Sequence, residues 1–366
     1  MAESPPENES LEPIRRQIDE LDEKIQEMLS ERAQLAQRVG ASKHGPRTTA
    51  LDFYRPDREA RVLQGVVDRN QGPLSDEEMI RLYREIMSAC LAQQEPLRVA
   101  FLGPEGTFSQ AALLKHFGHS VRALSLASIE EVFREVEAGV ANFGIVPVEN
   151  SSEGSVSDTL DMFLTSPLKI SGEVELRIRQ HLLGHGDDLS GVTRVYSHQQ
   201  SLSQCRAWLE QKLPDAECIA VASNAEAARI ARDEEGAAAI AGDAAADVYG
   251  LDILMANIED RPDNTTRFLV IGRETYPPSG RDKTSLLLSS RHKAGALYEL
   301  LSPLSEHRVS MTRIESRPSM RGKWDYVFFV DVEGHAEDPD IAAALTDLEA
   351  VASLFRVLGS YPCAIL

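Results

Sequence analysis

The chain has 366 residues, a formal net charge of −20 at pH 7, 42% hydrophobic and 26% charged residues, a globular composition too long for a single core. So large an acidic excess excludes nucleic acid or an anionic membrane as the main partner, because both need a basic surface. The scattered cysteines Cys90, Cys205, Cys218 and Cys363 form no C-x-x-C pair, and the histidines form no H-E-x-x-H, so a reducing cytoplasm and chemistry without metal or cofactor are expected.

Residues 1–9 are acidic and Pro-containing, lack an apolar h-region and are expected to be disordered, with no signal peptide. No apolar run anywhere reaches the length of a membrane span. From Leu11 to Val39 the spacing predicts one long helix. Ile14, Leu21, Met28 and Leu35 share one heptad position, and Ile18, Ile25, Arg32 and Val39 another. Arg32 thus sits where an apolar residue belongs, and Lys43 returns to within roughly 20° of the same face.

Gly45-Pro46 breaks that helix, and a second restarts near Pro56, with Arg58 and Glu59 one turn before Val62 and Leu63. Ser75-Asp76-Glu77-Glu78 reads as a capping box for a third helix, whose inward stripe is Met79, Leu82, Ile86 and Cys90, continued by Gln93. Polar groups on buried faces are costly unless paired. Arg32, Lys43, Arg58, Glu59 and Gln93 therefore form either an internal salt-bridge network or a pocket for a small dianion. A first helix of about 30 residues, some 45 Å long, outruns a bundle of this size and implies pairing with a second chain.

These residues and spacings resemble the all-α chorismate mutase helical domain, over residues 10–96. The resemblance implies an intertwined homodimer that binds chorismate between helices. It assigns Arg32 and Arg15 of the partner subunit to the substrate carboxylates, Lys43 and Gln93 to the ether oxygen, Arg58 to the pocket and Glu59 to the ring hydroxyl. The reaction is a rearrangement within one molecule. It needs a held conformer and stabilisation of charge building on the ether oxygen, which cations and an amide donor supply.

Next, Arg98 to Leu102 reads as a strand, Gly103-Pro104-Glu105-Gly106 as a turn, and Thr107 and Ser109 stand at the start of a helix through Phe117. Gly144 to Val156 repeats the arrangement: an apolar strand, a turn at Pro147, then Glu149, Asn150 and Ser151 before a helix from Val156 to Leu164. Free N–H groups at a helix start suit a carboxylate or phosphate, although a plain N-cap cluster has the same residues. Strands at 169–179, 193–196, 218–221 and 237–241 alternate with helices at 129–138, around Gln204 and at 224–233, the order of an open α/β fold in two lobes around a cleft. Asp263 to Ile271 is a polar turn running straight into a strand, with Thr266 able to donate a proton beside Arg267.

Taken together, Gly103 to Ser109, Pro147 to Ser151, Ser197-His198 with Gln204-Cys205, and Thr266-Arg267-Phe268 resemble prephenate dehydratase, over residues 97–275 with a periplasmic-binding-protein-like two-lobed fold. By that resemblance Thr266 assists departure of the ring hydroxyl of prephenate. Arg267 and the hydroxyl-rich turns, with Thr107, Ser109, Ser151, Ser197 and His198, hold its carboxylates, and Glu149, Asn150, Gln204 and Phe268 complete the pocket.

After a linker at 276–282, residues 283–366 read strand, helix, strand, strand, helix, strand, an α+β ferredoxin-like order with helices on one face of an antiparallel sheet. The pattern alone fits a dimerisation module as well as a ligand-binding one. Gly295-Ala296-Leu297 and Glu315-Ser316-Arg317-Pro318 resemble the ACT regulatory domain, which implies phenylalanine bound between subunits and feedback inhibition. The whole multidomain chain is thus expected to make phenylpyruvate from chorismate by way of prephenate, as a homodimer or a higher homo-oligomer. A non-enzymatic amino-acid sensor would share the cleft but not the inward cations or Thr266. An enzyme preferring arogenate would share both.

Overall fold

The computed structural model describes residues 11–43, 54–186, 188–290, 293–319 and 326–365; the expected disorder of 1–9 and the side chain of Lys43 fall outside them. Helix α1, Leu11–Lys43, is one unbroken rod of 33 residues, about 50 Å long. Helix α2, Pro56–Arg69, starts on its proline. Helix α3, Asp76–Ala92, starts on the expected capping box, with Glu78 N donating to Ser75 Oγ at 3.2 Å and Ser75 N to Glu78 Oε2 at 3.1 Å.

The apolar seam of α1 is uncovered: Ile18, Leu21, Ile25, Met28, Leu35 and Val39 are all exposed. At its far end Gln94 Nε2 donates to Ala36 O at 2.8 Å. The buried stripe of α3 differs from the expected one. Ile80, Ser88 and Cys90 are covered, while Leu82 is exposed, because α3 lies against the next domain rather than only against its own bundle. Ser120 N donates to Ser88 Oγ, and Arg84 Nη1 to Lys115 O at 2.7 Å, across that junction.

The first lobe of the middle domain contains β1 (Arg98–Leu102), α4 (Phe108–Phe117), β2 (Arg122–Leu126), α5 (Ile129–Glu137), β3 (Phe143–Asn150), β4 (Gly154–Ser155), α6 (Ser157–Thr165) and β5 (Lys169–Arg177). The second lobe contains β6 (His181–Gly184), β7 (Arg194–His198), α7 (Gln199–Gln204), α8 (Arg206–Lys212), β8 (Glu217–Val221), α9 (Asn224–Asp233), β9 (Ala237–Ala241), α10 (Asp243–Tyr249) and β10 (Asp252–Met255). The chain then returns to the first lobe as β11, Thr265–Gly272. The sheets run β2-β1-β3-β11-β5, with β4 beside β3, and β10-β6-β9-β7-β8. Two crossings, at 178–180 and 256–264, join the lobes.

Pro147 is not a turn. It lies inside β3, which continues to Asn150, and the pairing with β11 skips Val148 between Phe268↔Pro147 and Arg267↔Glu149. A proline cannot donate to a ladder, and a bulge is where a sheet admits one.

The C-terminal domain contains β12 (Asp282–Ser289), α11 (Ala296–Glu306), β13 (Met311–Pro318), β14 (Tyr326–Glu333), α12 (Pro339–Val351) and β15 (Leu354–Pro362), with sheet order β13-β14-β12-β15, antiparallel throughout. One face carries Leu286, Leu288 and Val330 against Leu300, Leu304 and Leu348 of the helices. The other carries Leu287, Phe329 and Tyr361 into the core of the first lobe, beside Val146, Phe163 and Ile170.

Candidate active sites and their relatives

A cleft of about 550 Å³ lies between the two lobes. Thr266 and Asn150 are buried on its first-lobe wall, and Asn150 Nδ2 donates to Thr266 Oγ1 at 2.8 Å. Ser152 N donates to Asn150 Oδ1 at 2.9 Å, which fixes the way the amide faces. The threonine oxygen therefore accepts from Asn150 and keeps its own proton for the cleft. Thr107, Ser109 and Phe268 line the same wall, and His198 and Gln204 the opposite one. Thr107 Oγ1 donates to Leu102 O, so its side chain does not cap the first-turn N–H groups of α4 at the cleft edge.

Among its described lining residues the cleft has one carboxylate, Glu153, and no lysine or arginine. A chain of the same layout occurs in Stutzerimonas stutzeri, a "bifunctional chorismate mutase/prephenate dehydratase" that is 55% identical over 98% of this chain and 100% of its own length. The chain belongs to the bifunctional chorismate mutase/prephenate dehydratase family.

The sequence matches the family profiles "Chorismate mutase type II" over residues 14–95, "Prephenate dehydratase" over 99–276 and "ACT domain" over 284–350. The prephenate dehydratase of Arthrobacter aurescens, solved in complex with L-Phe, superposes with a TM-score of 0.68 at 34% identity, over 73% of this chain and 90% of that one. GqqA, described as a novel type of quorum-quenching acylase, superposes with a TM-score of 0.67 at 32% identity, over 73% of this chain and 98% of that one. The chain is a multidomain enzyme with chorismate mutase and prephenate dehydratase activities and an ACT domain.

Within the dehydratase domain four expected substrate contacts, Arg267, Glu149, Ser197 and Ser151, are engaged elsewhere. Successive residues of a strand face opposite sides, so Thr266 and Phe268 reach the cleft and Arg267 does not. Arg267 Nε donates to Glu173 Oε2 at 2.8 Å, Nη1 to Asp331 Oδ2 at 2.6 Å and Nη2 to Tyr361 Oη at 3.0 Å, the last two in the ACT domain. Glu149, beside Asn150, likewise faces away and accepts from Arg313 Nε at 2.8 Å. Ser197 is fully buried and donates to Ile240 O at 2.7 Å, behind the cleft wall. Ser151 holds the hairpin turn, accepting from Thr265 N at 3.0 Å.

Two cleft residues escaped the sequence reading. Gln180, 1% exposed, donates Nε2 to Ser201 Oγ at 3.1 Å and to Gln204 Oε1 at 3.3 Å. Asn224 Oδ1 accepts from His198 N at 3.1 Å and from Ser197 Oγ at 3.0 Å, so it ties the Ser-His motif to α9. Gln180 stands between Arg179 and His181 in a polar stretch, so no local pattern singled it out.

In the mutase domain Arg32 is half-buried on α1, while Arg15 and Arg58 are exposed. None of the three makes an ion pair among the described residues, which argues against the internal salt-bridge network. Gln93, expected on the buried stripe, is exposed, because α3 ends at Ala92 and Gln94 turns inward in its place. Glu59 faces the dehydratase junction, 3.8 Å from Arg84 Nε, around a cavity of about 40 Å³ shared with Tyr54, Lys115 and His116. Burial pushes its carboxyl up to about 7 against the pull of Arg84.

In the ACT domain Gly295 adopts φ 79°, a left-handed conformation that glycine takes without strain, at the start of α11, and Leu297 is 40% exposed. Ser316 is exposed at the edge strand, with Glu315 beside it. Arg317 is committed elsewhere: it grips Asp161 at 3.0 and 2.9 Å and Ser157 at 2.7 Å on α6.

Proposed function

We propose that the cleft converts prephenate to phenylpyruvate with Thr266 as the donor to the departing hydroxyl, and the bond from Asn150 to Thr266 carries this reading. The ring carboxylate leaves as CO₂, its bonding pair enters the ring, and the hydroxyl leaves with a proton as water. Asn150 keeps the threonine hydroxyl turned so that its hydrogen faces the leaving group. With no cation on the described cleft walls and the Thr107 hydroxyl committed to Leu102 O, the substrate carboxylates are taken by Ser109, His198 and the uncapped N–H groups of α4. An acylase would want a hydroxyl bonded to a general base; the described bond to the His198 ring comes instead from Gln200 N.

The mutase site is completed in a homodimer. Arg32, Lys43, Arg58 and Gln93 come from one subunit and Arg15 from the other, while Glu59 is turned to the dehydratase junction; the uncovered apolar seam of α1 supports that pairing. The ACT domain binds phenylalanine near Gly295, Ala296, Leu297, Glu315 and Ser316 and restrains the dehydratase. The domain limits are 10–96, 97–275 and 283–366 with a linker at 276–282, and the protein works in the cytoplasm. The test is phenylpyruvate formation by the purified protein in EDTA, from chorismate and separately from prephenate, with and without phenylalanine. Product from prephenate alone would leave α1 to α3 as a dimerisation arm, and no product from either would overturn the reading.

A further inference from the structure

Strand β13 of the ACT domain turns two arginines onto the dehydratase domain. Arg313 Nε donates to Glu149 Oε2 at 2.8 Å and Nη2 to Ser155 Oγ at 2.7 Å. Glu149 and Ser155 are opposite each other in the β3–β4 hairpin, and the next rung pairs Asn150 with Gly154. Arg313 thus fastens the two arms of the hairpin one rung from the residue that orients Thr266. Its side chain is 11% exposed and that of Glu149 39%, so the guanidinium is held from water while the carboxylate meets it, and a planar fork fixes direction as well as distance. Arg317, four residues on and on the same strand face, holds α6 directly after the hairpin through Asp161 and Ser157.

The strand that carries both arginines is an edge. Among the described residues it pairs only with β14, so it can shift without breaking a second ladder. It also carries Glu315 and Ser316, part of the phenylalanine site proposed above.

We propose that Arg313 is a positioning residue for the dehydratase reaction, supplied by the regulatory domain. It holds the hairpin that presents Asn150 to Thr266, and through it β13 transmits the state of the phenylalanine site to the cleft. The second half rests on the phenylalanine-sensor reading; the first does not. Transmission of this kind requires that phenylalanine favour one placement of β13 over another.

The experiment uses full-length Arg313→Ala and Arg313→Lys, with prephenate as substrate. Arg313→Ala is expected to lower kcat about tenfold while KM stays within about threefold, and Arg313→Lys, which keeps the charge but not the fork, to recover part of the loss. Calorimetry is expected to find phenylalanine bound to Arg313→Ala within about threefold of the wild-type affinity, while half-inhibition needs about tenfold more phenylalanine. Unaltered turnover in Arg313→Ala would overturn the positioning role, and unaltered inhibition would overturn the transmission. No phenylalanine binding to the wild type would instead overturn the sensor reading and leave turnover to decide. Mutase turnover reports folding; if Arg313→Ala loses it too, Arg313→Lys decides alone, and wild-type kcat and inhibition there overturn the proposal.

Discussion

Asn150 and Thr266 meet side chain to side chain across adjacent strands, 2.8 Å apart and both buried, although 116 residues separate them in the chain. Among the described residues the Thr266 hydroxyl bonds to no base, so the role proposed for it is donation. Thr266→Ala is expected to lower dehydratase kcat by about 10² to 10⁴-fold, with Thr266→Ser recovering part of it. Mutase turnover on chorismate, measured in the same preparation, stays at wild type; equal loss of both activities would refute the two-site arrangement.

Arg267 bridges the dehydratase and ACT domains rather than the substrate. Its partners Glu173 and Asp331 are 2% and 7% exposed; without Arg267 the first keeps Lys283 Nζ at 2.8 Å, while the second is left a buried carboxylate beside the Ser285 hydroxyl. Arg267→Ala is expected to cost about 3–5 kcal/mol in denaturant unfolding while KM for prephenate changes less than about threefold. A large rise in KM with unaltered stability would return Arg267 to the carboxylates.

Two half-buried groups at the mutase–dehydratase junction titrate with opposite sign. The Glu59 carboxyl is raised from 4.5 to about 7, so its stabilising contribution is complete below pH 4.5 and is lost as pH rises through 7. Burial drives the His116 imidazole from 6.5 down to about 3, so acidification below 6.5 favours the unfolded chain. Their two contributions therefore nearly cancel between pH 4.5 and 6.5, and the loss from Glu59 alone remains towards 7. In Glu59→Gln that loss disappears and stability climbs between pH 4.5 and 6.5, which melting curves across that range will show.

The seam of α1 predicts a separable dimer. Leu21 and Met28 are 54% and 68% exposed in the single chain, so Leu21→Glu with Met28→Glu places charges where a partner helix would pack. Sedimentation is expected to show a smaller particle, and chorismate turnover to drop about a hundredfold as prephenate turnover persists. A dimer with full mutase activity would contradict the assignment of Arg15 to the partner subunit.

Much of this was legible in the sequence. The spans Ala237–Ala241 and Asn224–Asp233 match the pattern residue for residue, and the Ser75 capping box stands as read. The resemblance of Thr266-Arg267-Phe268 to prephenate dehydratase also located Thr266 at the cleft. What it did not supply was which strand face the cleft occupies, so it took in Arg267 and Glu149 along with their cleft-lining neighbours Thr266 and Asn150. Short elements such as β2, β6, α10 and β10 have too few residues to display a period. Gln93 was misplaced by continuing a helical period past the last helical residue. The orientation of α3 depends on a neighbouring domain that no local pattern encodes.

The ACT sheet donates Leu287, Phe329 and Tyr361 to the core of the catalytic lobe, and the linker itself is anchored, with Tyr276 O accepting from His335 Nε2 at 2.9 Å. The segment between the domains is therefore a covalent tie laid over a joint that already holds. A protease that nicked Pro277-Pro278 would leave two pieces travelling as one particle, still answering to phenylalanine, until heat or denaturant parted them. Clipping the gene at the same place would do the opposite: the shortened chain would emerge with an oily, charge-studded wound on its catalytic half, and its fate would be precipitation before its loss of feedback was ever noticed.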